Sequence, residues 1–191
     1  MSRDFLAQMA ASSRTRAQAA RAACPPEEML RRARAQSPAP PLRLIGAFSL
    51  EVAALMADTL AGMQIERGFV IHGAEGWDEP TPVGPFTVFD VRPGQVTRET
   101  RAPEDYGLRR CPPAALIGGD ARHNAEALRA VLSGRAHGAQ RDCLLLGAAL
   151  ALEVAGEVAD PRAAMDRARE AIDGGAAGRV LDTLARVGRG A

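Results

Sequence analysis

The chain has 191 residues, and its 24 basic and 23 acidic side chains leave a formal net charge of +1. Apolar residues make up 47% of the sequence, which is typical of one globular domain with an aliphatic core. A near-zero net charge gives no overall field that would attract nucleic acid or a membrane surface, so we expect neither as a partner.

All the basic residues are Arg, and Lys is missing altogether. This excludes a Schiff-base lysine and the lysine of a phosphate-binding loop. Cys24, Cys111 and Cys143 are odd in number, widely spaced and without a CxxC pair, a pattern typical of reduced thiols. With no apolar run long enough to span a bilayer and no signal-peptide core near the N-terminus, we predict a cytoplasmic protein.

The N-terminal 36 residues predict a helical extension, rich in Ala and Arg and broken at Pro25 and Pro26. A transit peptide and a docking helix are both compatible with it. The segment SPAPP follows, and we interpret residues 37–41 as a stiff proline-rich linker. Residues 42–188 are then predicted to form an α/β domain.

Two continuous apolar runs, LRLIGAF over 42–48 and RGFVIH over 67–72, predict buried strands. Ser49 is placed to cap a helix over 50–61 between them, which makes a parallel βαβ unit. The alternating segments FTVFDV and VTRETR flank a turn at Pro93 and predict an antiparallel hairpin. Helices are predicted over 121–133, about 140–155 with nearly all-round burial, from Asp160 to 173, and around 181–187. The predicted fold class is α/β: a partial parallel sheet with an antiparallel hairpin and C-terminal helices.

The loop HGAEGWDEPTPVGP, which follows the second strand, carries two adjacent carboxylates, Asp78 and Glu79. Open α/β sheets bind ligands at the carboxyl ends of their strands, and Mg²⁺ takes one or two protein carboxylates together with water and substrate phosphate. Pro80 favours an extended Glu79. From spacing alone, however, a solvated turn with two incidental acids is the simpler interpretation.

Two other features are weaker candidates for a site. His72 could bind a ligand at its strand end, but a half-buried histidine with satisfied ring nitrogens is the simpler interpretation. In GGDARHN, residues 118–124, two glycines before a helix could cradle an anion. Asp120 at the N-cap would satisfy those donors itself and repel phosphate, so a turn and a cap are favoured.

Read together, the blocks from Pro38 to Val187 resemble the C-terminal half of anthranilate phosphoribosyltransferase. The blocks run in the family's order: LRLIGAFSLEVAALMADTLAG, RGFVIHGAEGWDEPTPVGPFTVFDV, APEDYG, IGGDARHNAEALRAVLSG and RDCLLLGAALALEVAG. The resemblance implies a truncated C-terminal domain of the nucleoside phosphorylase and phosphoribosyltransferase type.

The resemblance also implies an activity, the transfer of phosphoribosyl from phosphoribosyl pyrophosphate to anthranilate in tryptophan biosynthesis. It implies Mg²⁺ as the cofactor and carries the magnesium-binding acids of the family onto Asp78 and Glu79. It assigns no acid, base or nucleophile to this chain, because the family's chemistry depends on positioning and charge neutralisation.

Several segments that the resemblance implies upstream are not found in these residues. They are the GTGGD phosphate loop, the NxST and KHGNR segments, and the helical domain that forms the family's dimer interface. The alternative interpretation is therefore a catalytically inactive remnant, or a half-enzyme that needs a partner chain. We expect one uncovered sheet edge through which the chain could associate.

Residues 1–35 resemble a different enzyme of the same pathway. The segment DFLAQMAASSRTRAQAARAACPPEEMLRRA is similar to the leading helices of indole-3-glycerol phosphate synthase. The barrel and lysines of that enzyme are not found, which excludes its activity. The resemblance predicts a join between two tryptophan-pathway segments near residues 36–38.

Overall fold

The computed structural model describes residues 42–63 and 65–188, together with positions 15, 18, 19, 22, 24, 25, 27, 28 and 31. The chain divides into two compact units, residues 1–40 and 41–191. Apart from those scattered positions, the predicted extension over 1–36 and linker over 37–41 lie outside the described residues. Nowhere in the described part does a helix combine the length and apolar character that a bilayer crossing requires.

The second unit is built on a four-stranded mixed sheet in the order β1-β2-β3-β4. The strands are β1 (Leu42–Gly46), β2 (Arg67–His72), β3 (Phe86–Arg92) and β4 (Gln95–Arg101). β1 and β2 are parallel, whereas β2–β3 and β3–β4 are antiparallel. The predicted βαβ unit and hairpin are therefore confirmed.

One face of the sheet is covered by α1 (Leu50–Ala61), the helix that connects the parallel strands. It begins at Ser49, whose hydroxyl accepts a hydrogen bond from the backbone N–H of Val52 at 3.2 Å, as the sequence predicted. Its buried side packs on side chains of the sheet in a compact apolar cluster, formed by Ala47, Ala53, Ala57, Leu60, Ile65, Val70, Phe89 and Val91.

The other face is covered by the C-terminal helices: α2 (Ala121–Leu132), α3 (Ala139–Val154), α4 (Pro161–Asp173) and α5 (Ala176–Gly188). The central helix α3 is largely buried, as its nearly continuous apolar sequence predicted. Its Leu145, Leu146 and Leu150 join the larger core cluster with the sheet residues Phe69, Ile71, Phe86 and Val88. The fold is therefore a layer of one helix, a sheet, and a layer of several helices.

The first strand differs from its prediction. It ends at Gly46 rather than at residue 48, and among the described residues it lies at the edge of the sheet rather than inside it. Leu44 is 40% exposed and Phe48 is 71% exposed. Apolar composition alone does not distinguish a central strand from an edge strand, because the difference depends on whether a further strand pairs with it.

A buried polar cluster ties α3 to the hairpin. The Tyr106 hydroxyl donates to Glu153 Oε1 at 2.8 Å, and Arg101 Nη1 donates to Glu153 Oε2 at 2.7 Å and to the Tyr106 hydroxyl at 2.8 Å. Arg67 donates to the backbone carbonyl of Glu153 at 2.7 Å and pairs with Asp90. Glu153 is buried, and these hydrogen bonds and the positive charge of Arg101 offset the free-energy cost of removing its carboxylate from water.

Candidate functional site

The candidate site is the loop that follows β2 at the carboxyl ends of the two parallel strands. A short 3₁₀ turn, Ala74–Gly76, reverses the chain directly after the strand. Glu75 and Gly76 both have positive φ, 61° and 78°, and the Gly73 N–H donates to the Trp77 carbonyl at 2.7 Å. Asp78 and Glu79, which follow Trp77, then lie against the strand ends.

The returning backbone passes so close to two glycines that neither position has room for a side chain. A Cβ atom on Gly46 would lie 1.5 Å from the Asp78 carbonyl oxygen, and one on Gly73 would lie 2.1 Å from the Glu79 carbonyl oxygen. Gly46 ends β1 and Gly73 follows β2. The backbone of the Asp78–Glu79 pair is thus packed against both strand ends, while both side chains are exposed.

Asp78 and Glu79 lie at a cavity of about 840 Å³ between the β1 edge, α2 and α3. Among the described residues that line it, they are the only charged side chains. The rest of the lining is mainly apolar: Leu44, Ile45, Gly46, Ile71, Pro80, Leu116, Gly118, Asn124, Ala127, Leu128, Val131, Gln140, Cys143, Leu144, Gly147 and Ala148.

Two cysteines contact the segment that follows the carboxylates. The Cys143 thiol donates to the Pro80 carbonyl with an S···O distance of 3.6 Å, and the Cys111 N–H donates to the Pro82 carbonyl at 2.9 Å. Burial raises the pKa of Cys143 to about 11, and the negative charge of Glu79 adds to the shift. Cys143 is therefore a protonated donor near neutral pH. Sequence spacing gave no signal for this contact.

The donor set fits a Mg²⁺ ion that keeps most of its coordination for water and substrate oxygens. Within the described part of the chain, no group of three or more His, Cys, Asp or Glu side chains is arranged to hold a metal. Asp78 and Glu79 are thus two carboxylates without a third protein ligand of these types, which matches what Mg²⁺ takes in phosphate-binding sites. A closed structural metal centre is not formed by these residues.

The two other sequence candidates have structural roles. His72 is half-buried, and its Nδ1 lies 2.9 Å from the Ala47 carbonyl oxygen. Asp120 caps α2 by accepting from the His123 N–H at 2.8 Å, and the Gly119 N–H donates to Asn124 Oδ1 at 2.8 Å. The predicted turn and N-cap at residues 118–124 are confirmed.

The structure is an α/β domain in which a loop with two adjacent carboxylates lies at the carboxyl ends of two parallel strands. Residues 35–178 match the family model described as the glycosyl transferase family, a/b domain. Because this match covers well over half of the 191 residues, the chain belongs to that family.

The relatives are anthranilate phosphoribosyltransferases. The chain is 43% identical to the enzyme of Syntrophotalea carbinolica over 145 residues, which cover 76% of this chain and 41% of that protein. The chain thus spans about two fifths of the length of the curated relatives it matches.

Solved structures of the same enzyme share the fold. The enzyme from Thermus thermophilus superposes with a TM-score of 0.64 at 35% identity, over 72% of this chain and 40% of that one. The enzyme from Saccharomyces cerevisiae in complex with PRPP and Mg has a TM-score of 0.67 at 26% identity, and the match covers 74% of this chain and 41% of that one. The family match begins at residue 35, and the resemblance of residues 1–35 to indole-3-glycerol phosphate synthase stays a prediction.

Proposed function

We propose that this chain carries the magnesium-binding part of a cytoplasmic anthranilate phosphoribosyltransferase. In this proposal, Asp78 and Glu79 hold Mg²⁺ beside the pyrophosphate group of phosphoribosyl pyrophosphate, and anthranilate is the acceptor. The supporting relatives carry that enzyme's name, and one related structure contains both PRPP and Mg.

The observation that carries the proposal is the close packing of the Asp78–Glu79 backbone against Gly46 and Gly73. A solvated turn has no need of such packing, whereas a metal site requires its ligands to be held in place before the ion arrives. The two carboxylates are also the only charges among the described residues of the cavity lining. They would repel a bare diphosphate, so a cation must accompany the anion.

The proposed mechanism asks this chain for positioning rather than for proton transfer. Bound Mg²⁺ supplies positive charge that stabilises the departing pyrophosphate. Asp78 and Glu79 hold the ion's position, and Pro80 to Pro82, held by Cys111 and Cys143, support the loop. We assign no general acid or base, because the leaving group is stabilised by charge neutralisation.

We further propose that turnover requires phosphate-binding segments that are not among these 191 residues. The GTGGD and KHGNR segments implied by the resemblance are not found in the 191 residues. Oriented donors and cations of that kind normally provide most of the transition-state stabilisation in such reactions. We therefore expect the purified chain to bind Mg²⁺ weakly and to form little or no phosphoribosyl-anthranilate on its own.

The experiment that tests the metal site is Mn²⁺ binding, followed by electron paramagnetic resonance and competed with Mg²⁺. The double variant Asp78→Asn/Glu79→Gln should lose binding, while Glu75→Gln, an exposed acid in the same loop, should keep it. Equal Mn²⁺ affinity in the double variant and in the unaltered chain would overturn the assignment. A parallel assay with anthranilate and phosphoribosyl pyrophosphate tests turnover separately.

A further inference from the structure

Helix α5 carries a row of exposed aliphatic side chains, which we call the α5 stripe. Val180, Leu184 and Val187 are 60%, 63% and 70% exposed, and their spacing of four and three residues places them on one face of the helix. All three lie beyond residue 178, where the family match ends. Exposed apolar residues that adjoin each other in this way are typical of a contact surface.

The side by which α5 packs on its own domain is a different one. Ala177 packs against the larger core cluster, and a Cβ atom on Gly178 would lie 3.3 Å from the Leu132 carbonyl oxygen at the end of α2. At 3.6 residues per turn, the α5 stripe lies about a quarter turn around the helix from these two residues. The contacts of α5 within its domain therefore leave the stripe uncovered.

The polar side of α5 next to the stripe carries charges of both signs. Arg179, Asp182 and Arg186 are all exposed. Arg179 donates to the Gly174 carbonyl at 3.3 Å, and Arg186 donates to the Thr183 hydroxyl at 3.2 Å. Within the described part of the chain, neither Asp182 nor Arg186 belongs to an ion pair. One carboxylate and one guanidinium are thus available to a partner with the opposite charges.

We propose that the α5 stripe is an interface with a second copy of this chain, formed by two α5 helices that pack antiparallel about a two-fold axis beside Leu184. Leu184 then contacts the partner's Leu184, and Val180 contacts the partner's Val187. The same surface serves both protomers, as two-fold symmetry requires. This inference does not rest on the proposed function.

The charges favour both this occupant and this orientation. When Val180 lies opposite the partner's Val187, Asp182 lies close to the partner's Arg186 on the same side of the stripe, and the two-fold axis repeats the contact. Exposed ion pairs add little affinity, but charges that flank an apolar helix contact select the partner and its direction. A parallel pair would instead place each charge level with its own copy.

The expected dimer is weak and separate from the dimer that the family resemblance implies. The helical domain that forms the family's dimer interface is not found in these residues. A standard stable interface buries about 800 Å² on each partner, which is more than three aliphatic side chains and their neighbours provide. We therefore expect a reversible dimer with a Kd on the order of 10–100 µM.

The first test is sedimentation of the full chain at concentrations below and above this Kd. Leu184→Glu places two carboxylates beside the two-fold axis and should weaken self-association at least tenfold, because like charges that face each other oppose binding. Leu55→Glu is the control, since Leu55 is a comparably exposed leucine on α1, with 67% of its surface accessible. It should leave the Kd unchanged.

Two charge-reversal variants provide a sharper test. Asp182→Arg alone and Arg186→Asp alone each set like charges against each other across the proposed interface, so each should self-associate less than the unaltered chain. Mixed in equal amounts, the two variants restore both ion pairs with their signs exchanged, and the mixture should form heterodimers. Pairing of charges within one helix cannot produce this rescue. Circular dichroism checks that each variant keeps its helix content.

Four results would overturn the proposal. The unaltered chain could stay monomeric at every concentration, which would leave the stripe to another segment, such as residues 1–36. Leu184→Glu could self-associate as well as the unaltered chain. Leu44→Glu, at the β1 edge, could abolish association while Leu184→Glu does not, which would place the contact at that edge. The mixture of charge-reversal variants could fail to form heterodimers, which would show that Asp182 and the partner's Arg186 do not face each other.

Discussion

The carbonyl oxygen of Asp78 lies where the Cβ atom of any residue other than glycine at position 46 would be, at a distance of 1.5 Å. This contact joins the end of β1 to the loop that follows β2. It explains why an apolar strand ends in a glycine at this point. The position of Asp78, a proposed magnesium ligand, thus depends on Gly46, which lies 32 positions earlier in the chain.

Gly46→Ala is expected to displace the loop, because a backbone oxygen cannot coexist with a Cβ atom at this distance. We expect a loss of about 1–3 kcal/mol in the free energy of unfolding and a large loss of Mn²⁺ affinity. Gly147→Ala is the control: it lies inside α3 with nothing within 4 Å of the added Cβ, and should stabilise by up to about 1 kcal/mol. Urea unfolding measures both. An unchanged Mn²⁺ affinity in Gly46→Ala would contradict the role given to this contact.

The reactivity of Cys143 should report the charge on Glu79. Burial and the Glu79 carboxylate raise the pKa of this thiol to about 11, so its alkylation by iodoacetamide should be slow at pH 8 and still increase toward pH 11. Glu79→Gln removes a negative charge, lowers the pKa and should accelerate alkylation by roughly three- to tenfold. Saturating Mg²⁺ should likewise accelerate the alkylation of Cys143 in the unaltered chain.

Peptide mapping by mass spectrometry separates Cys143 from Cys111, whose pKa burial also raises. The control variant is Glu75→Gln, which should leave the Cys143 rate unchanged. If Mg²⁺ accelerated the alkylation of Cys143 as much in Glu79→Gln as in the unaltered chain, the ion would have to act at a place other than the carboxylate pair.

Arg101→Met should be strongly destabilising, because it leaves the buried Glu153 carboxylate with the Tyr106 hydroxyl as its remaining side-chain donor. Removal of one partner from a buried ion pair costs about 3–5 kcal/mol. The double variant Arg101→Met/Glu153→Gln should recover part of this loss, because a neutral amide needs less compensation. Chemical unfolding of Arg101→Met, Glu153→Gln and the double variant gives the free energies of unfolding for a double-mutant cycle. A double variant no more stable than Arg101→Met would show that lost packing, rather than charge, dominates.

The N-cap of α4 provides a smaller test. Asp160 accepts from the Ala163 N–H at 2.8 Å, and Asp160→Ala should lower the free energy of unfolding by about 1 kcal/mol. Asp166→Ala, on the same helix, loses only an exposed pair with Arg169 and should change stability by less than about 0.5 kcal/mol. Thermal unfolding should rank them in that order, and equal effects would show that the cap contributes no more than a surface ion pair.

Local sequence patterns predicted most of the elements because their causes are local. Ser49 and Asp120 cap helices through side chains that reach only a few residues along the chain. Strand alternation around Pro93 predicted the hairpin, and the structure gives its register, with Arg92 opposite Gln95. These signals depend on backbone donors and side-chain period, which any window of the sequence contains.

The candidate site combines features that local sequence predicts with features that depend on contacts between distant segments. The sequence by itself determined that two carboxylates follow a parallel strand, that no lysine is available, and that the helices and strands succeed each other in an α/β order. Only the tertiary structure decided that β1 is the edge strand of the described sheet, that Gly46 and Gly73 accommodate the Asp78–Glu79 backbone, and that Cys143 lies against Pro80. The reason is physical: pairing, close approach and burial are relations between segments far apart in the chain, and residue order alone does not specify which surfaces meet.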